Sequence, residues 1–201
     1  MRIQSKPDTR FTESLTGGRY ETGRNEYLTL DGIFEEPGHW SFPFFNEEAA
    51  QFKFDELRAS DGLLLGRKTY EGFAAAWPTM PDTGEFGKKM NGMPKYVVSS
   101  TLDKVEWTGS RLIKGDVAEQ IRRLKRQPGR DLLLSGSAQL FNAMMGESLI
   151  DLHRLMVHPI VAGKGKRLFA EGVSQSNLEL TEAKRFKTGI AVLELVPAKA
   201  A

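Results

Sequence analysis

The 201-residue sequence contains no cysteine, which removes disulfides, thiolate nucleophiles and cysteine-based metal sites. No apolar stretch approaches the ~20 residues needed to cross a bilayer. The polar N-terminus carries no apolar core of the secretory kind either, so no membrane association and a cytoplasmic location are expected. Net charge is equally scarce: 28 basic residues against 26 acidic leave +2. That is too little for a polyanion-binding surface, so no nucleic-acid partner is expected and any basic function has to be local. Histidines number only three. His153 and His158 lie an odd number of positions apart on one expected strand and face opposite sides, so no metal site is expected. G-x-G-x-x-G, a Walker lysine motif and internal repeats are all missing. What is present, 40% hydrophobic and 27% charged residues, suits one domain with a sizeable core.

The most informative stretch is 61–77, DGLLLGRKTYEGFAAAW. Residues 62–65 form a short, almost wholly apolar run that suits a strand buried on both faces. Gly66 ends it, and Tyr70, Phe73 and Ala74 then recur at helical spacing. A strand that turns directly into a helix leaves backbone N–H groups facing outward, with the positive end of the helix dipole behind them. Arg67, Lys68 and the Thr69 hydroxyl add to that cluster, which is an anion site in form. It reads as a phosphate grip for a nucleotide, or as an ordinary turn whose basic side chains are solvated.

The rest of the chain supplies the frame. Residues 1–24 lack a sustained apolar period and read as a mobile tail. Tyr27, Leu28 and Leu30 make a short strand that ends at the Asp31-Gly32 turn. An aromatic loop over 37–45 precedes a helix capped by Asn46, and 79–94, with its prolines and glycines, reads as loop. A strand at 96–98 ends in Ser99-Ser100-Thr101, and 112–113 is a minimal strand. Asp116 caps a helix with Val117, Ile121 and Leu124 on its apolar face. A strand at 131–135 meets Gly136-Ser137, after which Leu140, Phe141, Met144 and Met145 repeat at helical spacing. Strands at 152–161, 178–186 and 190–196 follow, the last two as a hairpin, with 197–201 a short tail. This alternation predicts an α/β fold with a mostly parallel sheet and antiparallel strands at one edge.

Three candidate turns, Gly66 to Thr69, Ser99-Ser100 and Gly136-Ser137-Ala138, each follow a strand directly. Ligands of open α/β sheets bind outside such carboxyl ends, so the three turns together could grip an extended, multiply phosphorylated ligand. LLLGRKTYEGF, YVVSSTL, LLLSGSAQLFNAMM and LHRLMVHPIVAGKGKRLF, in that order, resemble the dihydrofolate reductase superfamily. They are most similar to its bacterial branch, the C-terminal reductase domain of the riboflavin-biosynthesis deaminase-reductase. The similarity covers about residues 26–196.

The resemblance implies a central sheet of about eight strands, NADPH as hydride donor and a homodimer. By position it places Gly66, Arg67, Lys68 and Thr69 on cofactor phosphates, Ser99 and Ser100 on the adenosine ribose with its 2′-phosphate, and Gly136, Ser137, Ala138, Gln139 and Leu140 on the pyrophosphate. It places Asp31 near the nicotinamide and substrate. Where the riboflavin reductases carry Glu-Gly-Gly after this strand, the present chain has Ser135-Gly136-Ser137.

These readings give an NADPH-dependent reductase acting on a C=N or C=O bond of a small, pteridine- or aminopyrimidine-like substrate. The alternative is a nucleotide-binding module of the same fold without turnover. Asp31 is the expected catalytic residue, though before Gly32 it also suits a structural Asx turn. Trp40, Phe42 and Phe44 are expected to wall the substrate pocket, or else to cover the sheet edge. Lys164, Lys166 and Arg167 read as a solvated loop, or else as a grip on a substrate phosphate. The late strands, rich in Leu, Val and Ile, form an edge that needs covering, in keeping with a homodimer.

Overall fold

Leu63, Leu64 and Leu65, and again Leu132, Leu133 and Leu134, are buried without a break, as in strands covered on both faces. The computed structural model describes residues 21–169 and 171–199. Its sheet has eight strands: β1 (Thr22–Thr29), β2 (Ser60–Gly66), β3 (Lys95–Val98), β4 (Ser110–Ile113), β5 (Asp131–Leu134), β6 (Leu152–His158), β7 (Leu178–Arg185) and β8 (Ala191–Pro197). They lie in the order β4-β3-β2-β5-β1-β6-β8-β7. The pairings from β4 through β6 are parallel, and β8 runs antiparallel to both β6 and β7. The expected fold is therefore present: a mostly parallel sheet closed by an antiparallel hairpin.

The described residues form five α-helices: α1 (Glu47–Ala59), α2 (Arg67–Ala76), α3 (Gly84–Gly92), α4 (Val117–Lys125) and α5 (Ala138–Gly146). Strand alternation divides the core between the faces. Leu28, Leu64, Leu132 and Leu134 pack with Ile121 of α4 and with Phe141 and Met144 of α5. On the other face Leu63, Leu65, Val97 and Leu133 pack with Leu57 of α1, Tyr70 of α2 and Met90 of α3. None of these helices is long and apolar enough to cross a membrane.

Several boundaries differ from expectation. The expected tail over 1–24 falls outside the described residues as far as residue 20, but its end belongs to β1. Thr22 is fully buried, and Thr22, Gly23 and Arg24 pair with β5 while Gly23 and Arg24 also pair with β6. Backbone pairing on both sides holds this polar segment in a strand that its side chains do not announce. The segment 79–94 contains α3, because Phe86 and Met90, one turn apart, reach the α2-side core despite the glycines around them. At the other end, β6 stops at His158, just before Pro159, which has no N–H to continue the ladder.

Lys95 on β3 shows how this core accommodates charge. It is fully buried, its Nζ donates to Asn91 O (2.7 Å) and Thr108 O (2.9 Å), and it lies 4.2 Å from the Trp107 ring centroid. Burial lowers its pKa from 10.5 to about 8. Between those two values the unfolded chain keeps a proton that the folded chain has shed, so this group makes stability rise with pH across that window. Lys95→Met should abolish the rise. The gap between the urea midpoints of wild type and variant should change from pH 7 to about pH 10 in favour of wild type, and parallel curves would contradict the assignment.

Candidate active-site cleft

Two strand-to-helix turns meet at the carboxyl ends of β2 and β5. Gly66 is the extended N-cap of α2 and offers no side-chain cap. Gly136 has φ +68°, a left-handed value that costs glycine little. Ser137, at φ 64°, carries a strained backbone and caps α5 by accepting from Leu140 N at 3.4 Å. A Cβ on Gly66 would collide with the Ser137 side chain, and one on Gly136 would lie 2.5 Å from Thr69 Oγ1. The helices α2 and α5 thus bring their N-termini together only because both turns lack a side chain at the point of contact. Each N-terminus carries N–H groups without helical acceptors, and Arg67 and Lys68 stand beside them, exposed.

Above these turns lies a cleft of two adjoining cavities. One, of about 450 Å³, is lined by Gly66, Val98, Ser99, Ser100, Thr101, Lys114 and Leu140 among others. The second, of about 840 Å³, is lined by Glu26, Tyr27, Phe34, Lys53, Thr69, Phe73, Gly136 and Ala138 among others. Arg67, Lys68, Ser137 and Gln139 border both. The cleft opens where β5 has been inserted between β2 and β1, the kind of crevice that α/β sheets use for ligands. Every residue expected to hold a cofactor, from Gly66 through Thr69, Ser99 and Ser100 to Gly136 through Leu140, lines one cavity or the other. Ser99 Oγ is already engaged, accepting from Thr101 N (3.2 Å) and Leu102 N (3.0 Å). Ser100 is the exposed hydroxyl of the pair.

The expected catalytic residue is elsewhere. Asp31 lines neither cavity. Its carboxylate accepts from Thr29 Oγ1 (2.6 Å), Gly163 N (2.8 Å) and Ala162 N (3.1 Å). These bonds, the Thr29 hydroxyl foremost, pull its pKa down to about 2. A carboxylate so acidic and so fully engaged is a staple between the end of β1 and the loop after β6, where Arg167 Nη1 also donates to Asp31 O at 2.6 Å. The aromatic loop does not wall the cleft either. Trp40 and Phe44 pack edge-on against His158, at 5.1 and 5.7 Å between ring centroids, and Phe42 is 77% exposed. The chain turns at Gly32 so that Phe34, Glu35, Glu36 and Pro37 reach the cavity instead. Lys166, read from sequence as solvated, borders that cavity and pairs with Glu35 at 2.5 Å.

The pattern of residues flagged neither Tyr27 nor Lys53 as functional. Lys53 projects from α1, its Nζ 2.8 Å from Glu56 Oε2. Glu56 is itself buried and faces Arg154 at 3.6 Å, and Arg154 Nε donates to Glu194 at 3.0 Å. Burial works against the charge of Lys53, yet Glu56, with Tyr27 and Glu26 beyond it, holds its pKa above the ordinary lysine value. Burial likewise raises the Tyr27 pKa, and the Lys53 ammonium offsets part of that. Glu26 is 8% exposed and accepts from Gly136 N at 3.1 Å, which ties β1 to the floor of the cleft. The available signal was a charged residue inside a buried strand, Glu26, and a lysine between Phe52 and Phe54 on a helix that covers the sheet.

The fold and the sequence agree in what they resemble. The family model described as RibD C-terminal domain matches residues 25–192. The uncharacterized protein YyaP of Bacillus subtilis is 30% identical over 167 residues, 81% of this chain and 87% of that protein. A Shewanella sp. PV-4 protein provisionally assigned to riboflavin biosynthesis superposes with a TM-score of 0.73 at 20% identity, over 89% of this chain and 99% of that one. Dihydrofolate reductase from Enterococcus faecalis, complexed with NADP(H), superposes with a TM-score of 0.60 at 14% identity, over 90% and 98% of the two chains. With a match running from within β1 to within β8, the chain belongs to the RibD C-terminal domain family, which has a dihydrofolate reductase-like fold.

Proposed function

We propose that this protein is an NADPH-dependent reductase that delivers hydride to the carbon of a C=N or C=O bond in a small substrate. The observation that carries this reading is the glycine-dependent meeting of two helix N-termini at the floor of one long cleft. A diphosphate is the ligand such a floor suits, since it can accept from both sets of N–H groups at close range. The N-terminal turns of α2 and α5, with Lys68, would hold it. Arg67, Ser100 and Lys114 would take the 2′-phosphate in the smaller cavity, by charge-assisted hydrogen bonds. A reduced nicotinamide bound in the larger cavity supplies the hydride. Phe34 and Phe73 give that cavity an apolar lining that keeps water from competing for a bound substrate. Support also comes from the E. faecalis neighbour, a dihydrofolate reductase complexed with NADP(H).

A homodimer belongs to the same proposal. On one face of the antiparallel hairpin, register aligns Leu180 with Leu195, and Leu155 and Ala183 with Leu193. Leu180 is 54% exposed, and a second copy laid on this strip would cover it.

Calorimetry should show NADPH bound more tightly than NADH by about ten- to a hundred-fold, the worth of a charge-assisted contact, and Arg67→Ala should cost NADPH far more than NADH. Gly136→Ala, strained by its positive φ and by Thr69, should abolish binding of both cofactors, and equal affinities in wild type and variant would refute the floor. Asp31→Asn should leave NADPH affinity and turnover nearly unchanged. Because the folded Asp31 pKa is depressed to about 2, its stabilising effect is present above pH 4 and lost as pH falls toward 2. Acid titration of the fold should therefore lose that component in the variant. Light scattering at micromolar concentration should report a dimer, and a monomer there would refute the pairing.

A further inference from the structure

Reduction needs a proton as well as a hydride, and the reductase reading leaves its source unassigned. Once a carbonyl carbon gains hydride, its oxygen holds an electron pair that an acid must meet. Asp31 is engaged and too acidic to serve. Tyr27 is different. Its ring is held by His158 at 5.1 Å and by the Lys53 ammonium 5.7 Å from its centroid, and it lines the larger cavity. Among the described residues no protein group hydrogen bonds to its hydroxyl. Tyr70 makes the contrast: its hydroxyl accepts from Glu106 N (2.8 Å) and Trp107 N (3.1 Å) and serves the fold. Lys53 lines the same cavity and is fixed by Glu56 at 2.8 Å, which leaves it N–H donors to spare. Phenol and ammonium thus border one cavity, with the ammonium set over the phenol ring.

We infer that the substrate is a carbonyl compound, an aldehyde or ketone, whose oxygen is received by the Tyr27 hydroxyl and the Lys53 ammonium, with Tyr27 supplying the proton. This rests on the reductase reading above. The C=O π bond breaks as the carbon gains the nicotinamide's hydride and a C–H bond forms. The released electron pair moves to oxygen and takes the phenolic proton, so the product is an alcohol. The phenolate left behind is balanced by Lys53 and regains a proton from solvent. Two donors converging on a developing oxyanion are what this step requires. An imine nitrogen, protonated on its own near neutral pH, has far less need of them.

The test uses para-nitrophenol, whose coloured anion presents an oxyanion of the kind the step creates, on protein saturated with NADP+. Wild type should bind it as the anion. Tyr27→Phe and Lys53→Met should each weaken that binding about tenfold or more, with NADPH affinity nearly unchanged. Equal probe affinity in wild type and Tyr27→Phe, with NADPH bound by both, overturns the assignment and leaves the reductase reading standing. Failure of wild type to bind NADPH overturns the reductase reading and this step with it. Should Lys53→Met fail to fold, Tyr27→Phe, which removes a single oxygen, decides alone.

Discussion

No side chain fits between the turn after β2 and the turn after β5, and the rest of the site depends on that contact. Gly66 meets Ser137 and Gly136 meets Thr69 at distances that leave no room for a methyl group. The contact forces α2 and α5 to start side by side, so two helix dipoles point into one space. Each is worth about 0.3–1 kcal/mol toward an anion at the surface, and more in a partly dry cleft. The strain shows at Ser137, a non-glycine residue with positive φ, whose side chain offsets part of that strain by capping α5. Glu26 completes the arrangement from β1 by accepting the Gly136 N–H.

Behind the cleft the protein keeps charge where apolar packing would have been cheaper. Lys53, Glu56, Arg154 and Glu194 alternate in sign from α1 through β6 to β8. Such a row gains little stability over a hydrophobic equivalent. Its effect here is positional. Glu56, held between Lys53 and Arg154, keeps Lys53 in place beside Tyr27. Asp31 does comparable work outside the cleft, where its bonds to Ala162 and Gly163 tether the loop that carries Lys166.

Sequence determined most of the strands and both glycine turns, because each is written in local pattern, whereas the cofactor role of the turn residues comes from the resemblance. Leucine runs specify strands buried on both faces, Gly66 and Gly136-Ser137 mark where those strands end, and periods near 3.6 specify the helices that follow. Only the tertiary structure decided the far half of the cleft. Asp31 has one local context, before Gly32, that suits either a turn or a catalytic carboxylate; the choice was made by Ala162 and Gly163, more than a hundred residues away. The Trp40 to Phe44 loop was directed to His158 rather than to the cavity for the same kind of reason. Tyr27, Lys53 and Glu26 lie on two elements whose meeting depends on β5 being inserted between β2 and β1. Strand order of that kind is set by the packing of the whole sheet, and no short stretch of sequence encodes it.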